Sequence, residues 1–447
     1  MSNTTLLIKN GQIINRGAII HGDIYVKNDI IEQIAPNIDK EADTVIDAEG
    51  KWVMPGIIDD QVHFREPGLT YKADIASESR AAIAGGVTTF MEMPNTKPSA
   101  LTQELLQDKY DIAQRTAYSN YSFFMGASNE NIEEVLKTDR NNVCGVKVFM
   151  GSSTGNMLVD NEDVLTNIFS KVDMLIATHC EDEATIRANM AAFKEKYGEN
   201  LDATHHPLIR NTEGCLISST LASDLAKKYN TRLHILHIST ADEIALFTNE
   251  IPLEKKRITS EACVHHMYFT ADDYPRLGNR IKCNPAIKAP HNREAIRAAV
   301  LDGTIDIIAT DHAPHTKEEK SKPYTEAPAG LPLIQHSLNI MLDLYRDGIF
   351  TLEQIVEKMC HTPAICFQIG DRGYLNEGYK ADIAIIDPNL EYTVGPENIA
   401  YKCGWSPLEG KTFKGKNICT IVNGKIVYDY KTQLFRQGCG ERLTFDR

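Results

Sequence analysis

IIDDQVHF, residues 57–64, opens on two isoleucines and closes on acidic, amide and imidazole side chains. Seven later segments repeat that design: VTTFMEMPNT (87–96), YSFFMGAS (121–128), GVKVFMGS (145–152), MLIATHCED (174–182), LHILHIST (233–240), ITSEACVHH (258–266) and IDIIATDHAPH (305–315). Nearly all begin apolar and end near His, Asp, Asn, Lys or Glu. Between most of them lie helical patterns, such as DIASESRAAIAGG at 74–86 and CLISSTLASDLAKKY at 215–229. Strands alternating with helices predict a parallel sheet, and eight such units predict a (β/α)8 TIM-type barrel over 57–370. An open doubly wound sheet would alternate in the same way. The polar strand ends favour the barrel, where they converge on the one face that carries active sites.

Outward from that block the style changes. Residues 1–56 hold short extended runs and turn signals at Asn10-Gly11, His21-Gly22 and Lys27-Asn28-Asp29, with no long helical pattern. From residue 371 the same style returns, in YLNEGYKADIAIIDPN and ICTIVNGKIVYDY. LLIKNGQII and TIVNGKIVY both set Asn-Gly between apolar runs, a hairpin signal. The two ends, 1–56 and 371–447, are therefore expected to form one composite β-sandwich domain beside the barrel.

Composition narrows the function classes. A formal charge of -14 weighs against a nucleic-acid partner, which wants a basic face. It leaves room for a small anionic substrate, because a few local cations outweigh the global field. The start, MSNTTLLIKNGQII, lacks the basic stretch and long apolar core of a signal peptide. No apolar run reaches the roughly 18 residues of a membrane span. The ten cysteines are scattered, with no CxxC pair, and Cys180 and Cys263 fall in apparent strands. That pattern suits reduced thiols in a cytoplasmic protein.

The chemistry-bearing residues stand at the strand ends: His63 after the first, Lys147 in the fourth, His179 after the fifth, His237 after the sixth and Asp311 after the eighth. Imidazole nitrogens and carboxylate oxygens are the donors a borderline divalent metal such as zinc takes. A lone buried histidine is more often hydrogen-bonded than ligating. Several candidates at the barrel mouths weigh the other way.

In order along the chain, DxxxHFREPG, MPNT, GVKVFMGSSTG, HCED, HIST, KCNP and ATDHAPH resemble the dihydroorotase family of the amidohydrolase superfamily, over almost the whole chain. The resemblance implies a cyclic amidohydrolase holding one or two Zn2+, with Lys147 carboxylated to a carbamate that bridges them. His179 and His237 match the ligands of the second metal, and His63 and Asp311 those of the first. Asp311 matches the catalytic proton shuttle. Substrate recognition is implied at His63, Arg65, Asn95, Asn284 and His315, with backbone groups at Ala329 and Gly330 holding the pyrimidine edge. A guanidinium at Arg65 suits the carboxylate of dihydroorotate by bidentate pairing; hydantoinases and allantoinases generally lack it there. The stretch TKEEKSKPYTE (316–326) reads as a lid or a solvated loop.

Three positions depart from the pattern. Gln61 stands where the first histidine of DxHxH is usual, and a neutral amide oxygen is a weaker donor to the first metal. Ala286-Ile287-Lys288 replaces the usual PLR, and Val264 replaces a proline before His265-His266, two histidines read as structural. The competing readings are a hydantoinase- or allantoinase-type enzyme and an inert scaffold for aspartate transcarbamoylase. The sequence leaves a homodimer, a larger homo-oligomer and an association with that enzyme all open.

Overall fold

In the computed structural model of the chain, residues 4–151 and 156–447 are described. The SSTG end of GVKVFMGSSTG lies outside them. Parallel strands run Ile57–Val62, Val87–Glu92, Asn120–Phe123 continued by Met125–Gly126, Val146–Phe149, Ile176–His179, Leu233–Ile235, Ile258–Cys263 and Ile307–Ala309. They form two sheets of parallel neighbours, and the gap between first and eighth strands closes where His63 N–H donates to His312 O at 2.7 Å. The gap within the third strand closes similarly, with Phe124 N on Glu92 O (3.0 Å) and Met125 N on Gly145 O (3.0 Å). The result is an α/β TIM-type barrel with an additional β-sandwich domain.

Each barrel strand is buried along almost its whole length. That explains the near-continuous apolar starts, since a parallel sheet is covered on both faces. The expected helices appear at Ile75–Ala84 and Thr212–Tyr229, capped by Asp74 and Asn211 side chains that accept from the first-turn N–H groups. Cys263 ends the seventh strand as expected, whereas Cys180 lies one residue beyond the fifth. All ten cysteines are free. Among the described residues no helix is long and apolar enough to cross a membrane.

The two chain ends share one nine-stranded sheet. Trp52–Pro55 is the seam: it runs antiparallel to Ile383–Thr393, with Val53 opposite Ile385, and parallel to Thr5–Asn15, with Gln12 opposite Trp52. Ile8, Ile24, Val53, Ile385 and Ile421 pack into one apolar cluster there. The two Asn-Gly pairs behave differently. Asn423-Gly424 makes the expected two-residue hairpin turn, with φ 49° and 73°. Asn10-Gly11 does not turn the chain. Asn10 takes φ 61° at a bulge inside the single strand Thr5–Asn15, where a Cβ on Gly11 would lie 2.7 Å from Val53 Cγ2. The turn falls at Arg16-Gly17 instead. His21-Gly22 is likewise mid-strand, with Gly22 opposite Gly11, while Asn28 and Asp29 do turn the chain.

Candidate active site

The strand ends open into one cavity of about 390 Å³ lined by Gln61, His63, Arg65, Asn95, Lys147, His179, His237, Asn284, Asp311, His315, Ala329 and Gly330, together with Leu69, Tyr71, Lys72, Lys97, Phe149, Ala313 and Pro328. Every residue singled out at the strand ends thus faces one space, of a size ordinary for a small-molecule site. Three of them, Arg65 (φ 71°), His237 (41°) and Asp311 (47°), have left-handed backbones. Such conformations cost on the order of 1–3 kcal/mol each and persist where the surroundings enforce them, commonly at functional sites.

Lys147 lies between Val146 and Val148, which point into the apolar shell, so alternation turns its amine to the barrel interior. There the side chain is 1% exposed, and Nζ has no hydrogen-bond partner among the described residues. Burial pushes its pKa down to about 7. With the Phe149 ring 4.4 Å away but no hydrogen-bond acceptor, an ammonium here is costly. Much of the amine is neutral near pH 7, the form that can add carbon dioxide.

Beside it, His179 Nδ1 and His237 Nε2 face each other at 2.8 Å. His179 Nε2 sits 2.9 Å from Glu181 Oε2, and Arg210 Nη1 donates to the same oxygen at 2.5 Å. Burial opposes it, yet Arg210 and His179 hold the Glu181 carboxyl well below the usual carboxylate range. A carboxylate on Nε2 fixes that proton and leaves Nδ1 as the lone-pair donor. On the other side, His63 Nδ1 contacts Asn95 Oδ1 at 2.8 Å, which likewise leaves Nε2, 3.1 Å from Asp311 Oδ1, as the donor. Burial lowers the pKa of His63, His179 and His237, so all three imidazoles are neutral and able to ligate. An orphaned lysine amine, paired imidazole lone pairs and a carboxylate form a donor set that fits a divalent metal centre.

At the rim, Arg65 Nε donates to Pro314 O (3.1 Å) and Nη2 lies 3.1 Å from His315 Nε2. Arg65 is buried, and the neighbouring Glu66 accepts from Ile75 N. Lys72 Nζ meets His315 Nδ1 at 2.9 Å and Glu319 at 2.9 Å. The backbone at 329–330 is already engaged: Gly330 N–H donates to Lys282 O, Gly330 O accepts from Lys320 and Ala329 O lies 3.0 Å from His315 Nε2. The 316–326 stretch is anchored rather than simply solvated. Lys317–Lys320 is a helical turn capped by Thr316, and buried Lys320 donates to three carbonyls.

Several partners escaped the sequence reading. Asp60, His234 and Glu261 form a fully buried cluster beneath the centre, with His234 Nε2 3.3 Å from a carboxylate oxygen of each. Burial opposes it, but the two acids raise His234 to about 9, and Glu261 Oε1 accepts from the His237 N–H at 3.1 Å. Cys263, His265 and His266 also gather their ligating atoms within 4.8 Å. Glu181 was visible in THCED as a polar residue two past a candidate ligand; Arg210, Lys72 and His234 gave no local signal.

The amidohydrolase family model matches residues 52–427. The chain is 32% identical to the dihydroorotase of Methanosphaera stadtmanae, over 96% of both proteins. It is also 32% identical to that of Lactobacillus acidophilus, over 96% of this chain and 99% of the relative. Among solved structures it resembles the L-hydantoinase (dihydropyrimidinase) of Arthrobacter aurescens, with TM-score 0.92 and 28% identity over 98% of this chain and 99% of that one.

Proposed function

Because the chain belongs to the amidohydrolase family, we propose that it is a metal-dependent dihydroorotase, closing N-carbamoyl-L-aspartate reversibly to dihydroorotate and water in pyrimidine synthesis. The observation that carries this reading is the buried Arg65 guanidinium at the rim of the cavity, where the ring carboxylate of dihydroorotate needs a partner and a hydantoin has none. The full-length similarity to dihydroorotases agrees with it.

In this reading Lys147, His179 and His237 would hold one metal, and His63 with Asp311 the other, with zinc the metal that suits these donors. Lys147 Nζ would add carbon dioxide and release a proton, giving a carbamate that could serve as an anionic oxygen ligand. When bound, the metals lower the pKa of the attacking water and polarise the ring carbonyl. Asp311 takes the proton from that water and passes it to the leaving ring nitrogen; in synthesis the transfers reverse. Asn95 and Glu181 keep His63 and His179 in their ligating tautomers. Arg65, Asn284 and His315 orient the substrate, and the cytoplasm is where it acts.

Ultraviolet absorbance of the protein loaded with zinc and bicarbonate tests the assignment. Dihydroorotate should lose signal as its ring opens, while hydantoin and allantoin should not be opened. The likeness to L-hydantoinase makes the reverse preference the specific alternative, and that outcome would replace the reading.

Arg65→Lys is expected to lower kcat/KM for dihydroorotate at least about tenfold at unchanged metal content. A point charge cannot reproduce the guanidinium fork, and one charge-assisted hydrogen bond is worth roughly 1.5–3 kcal/mol. Kinetics equal to the parent would remove Arg65 from substrate binding and favour the hydantoinase reading.

A further inference from the structure

Gln61 stands where the family pattern calls for a histidine, and its amide is engaged at both ends. Cys263 Sγ donates to Oε1 at 3.7 Å. Nε2 donates to Asp311 Oδ1 at 3.3 Å. All three side chains are buried, and they come from the ends of the first, seventh and eighth strands. The two neighbours agree on which way the amide faces. A thiol supplies a hydrogen and wants the oxygen; a carboxylate only accepts and wants the NH2.

That orientation turns the only atom of Gln61 able to ligate toward Cys263. What Asp311 meets is a donor. Gln61 Nε2 holds Oδ1, the same oxygen that the lone-pair Nε2 of His63 faces at 3.1 Å, and leaves Oδ2 for the reaction. The left-handed backbone of Asp311 (φ 47°) makes such a grip useful, because a strained residue keeps its conformation only where its surroundings hold it.

We propose that Gln61 is a positioning residue for Asp311, fixed by the Cys263 thiol, and not a metal ligand. The inference rests on the dihydroorotase reading for Asp311's role. It makes the centre unequal: the side of His179 and His237 has two imidazoles, and the side of His63 has one.

The test uses the full chain, dialysed against zinc with bicarbonate, as parent, Gln61→Leu, Cys263→Val and Cys263→Ser. Bound zinc per chain, kcat, KM and thermal melting are measured for each. Gln61→Leu should keep the parent's zinc and KM and lose about tenfold in kcat, the scale of one hydrogen bond to a charged group. Cys263→Val should fall in the same direction, and Cys263→Ser, which again offers a donor to Oε1, should return toward the parent. Loss of zinc by Gln61→Leu at normal melting shows a ligand and overturns the proposal. Unchanged kcat in Gln61→Leu overturns it as well. If Gln61→Leu does not fold, the two Cys263 variants decide, and equal kcat in both defeats the inference. A parent inert toward dihydroorotate would fail the functional reading alone, because the zinc content of Gln61→Leu still reports whether Gln61 ligates.

Discussion

Lys147→Ala is expected to reduce dihydroorotate turnover by about a thousandfold or more, on the order of 4 kcal/mol, and to lose bound zinc with it. The side chain is 1% exposed and its amine has no hydrogen-bond partner among the described residues. As a purely structural lysine it would be a poor choice, because the Phe149 ring 4.4 Å away does not replace the hydrogen bonds a buried ammonium loses. As a carbamate it becomes an anion among cations, and the cost turns to gain. Alanine removes the anchor for that anion and leaves room beside His179 and His237. Acetate or propionate added in solution should therefore restore part of both the zinc and the rate. Measuring zinc content and turnover together decides the matter. A variant that binds zinc as the parent does and turns over normally would end the carbamate account.

What the sequence made legible follows from what is local. Each barrel strand carries its own signature, an apolar run buried on both faces and a polar residue at the open end, so strand order and the mouth residues could be read one segment at a time. Helices were legible more coarsely: the expected 215–229 begins three residues inside Thr212–Tyr229, past its Asn211 cap. Pairing partners were not. Glu181 and Arg210 are 29 residues apart, and His234 meets Asp60 only because the sixth strand lies across the barrel interior from the first. Nothing near either residue marks the contact. The Asn-Gly pairs make the same point at short range. Asn10 and Asn423 share the left-handed conformation their side chains tolerate. One is a bulge and the other a turn, because at Gly11 the neighbouring strand, with Val53, packs against the backbone. A dipeptide specifies a conformation, and its surroundings decide what that conformation does.

Asp311→Asn separates the acid–base role from the architecture better than any deletion. Asparagine tolerates a left-handed backbone as readily as aspartate, so φ 47° costs it nothing extra. It is nearly isosteric, and its amide oxygen can still accept from Gln61 Nε2. What it cannot do is take a proton. A positioned acid–base group is worth roughly 10²–10⁴ in rate, and the loss should appear in kcat with KM little changed, since the interaction is made as the proton moves. Removing the negative charge also weakens the His63 side of the metal centre, so the zinc content of the variant must be measured beside its kinetics. With zinc saturating and bound, kcat should fall about a thousandfold. Asp311→Glu keeps a titrating carboxyl but displaces it by one methylene, and should fall less. If Asp311→Asn retains kcat within about tenfold at full zinc occupancy, the loss is below the range of general acid–base catalysis, and the proton must travel by another group.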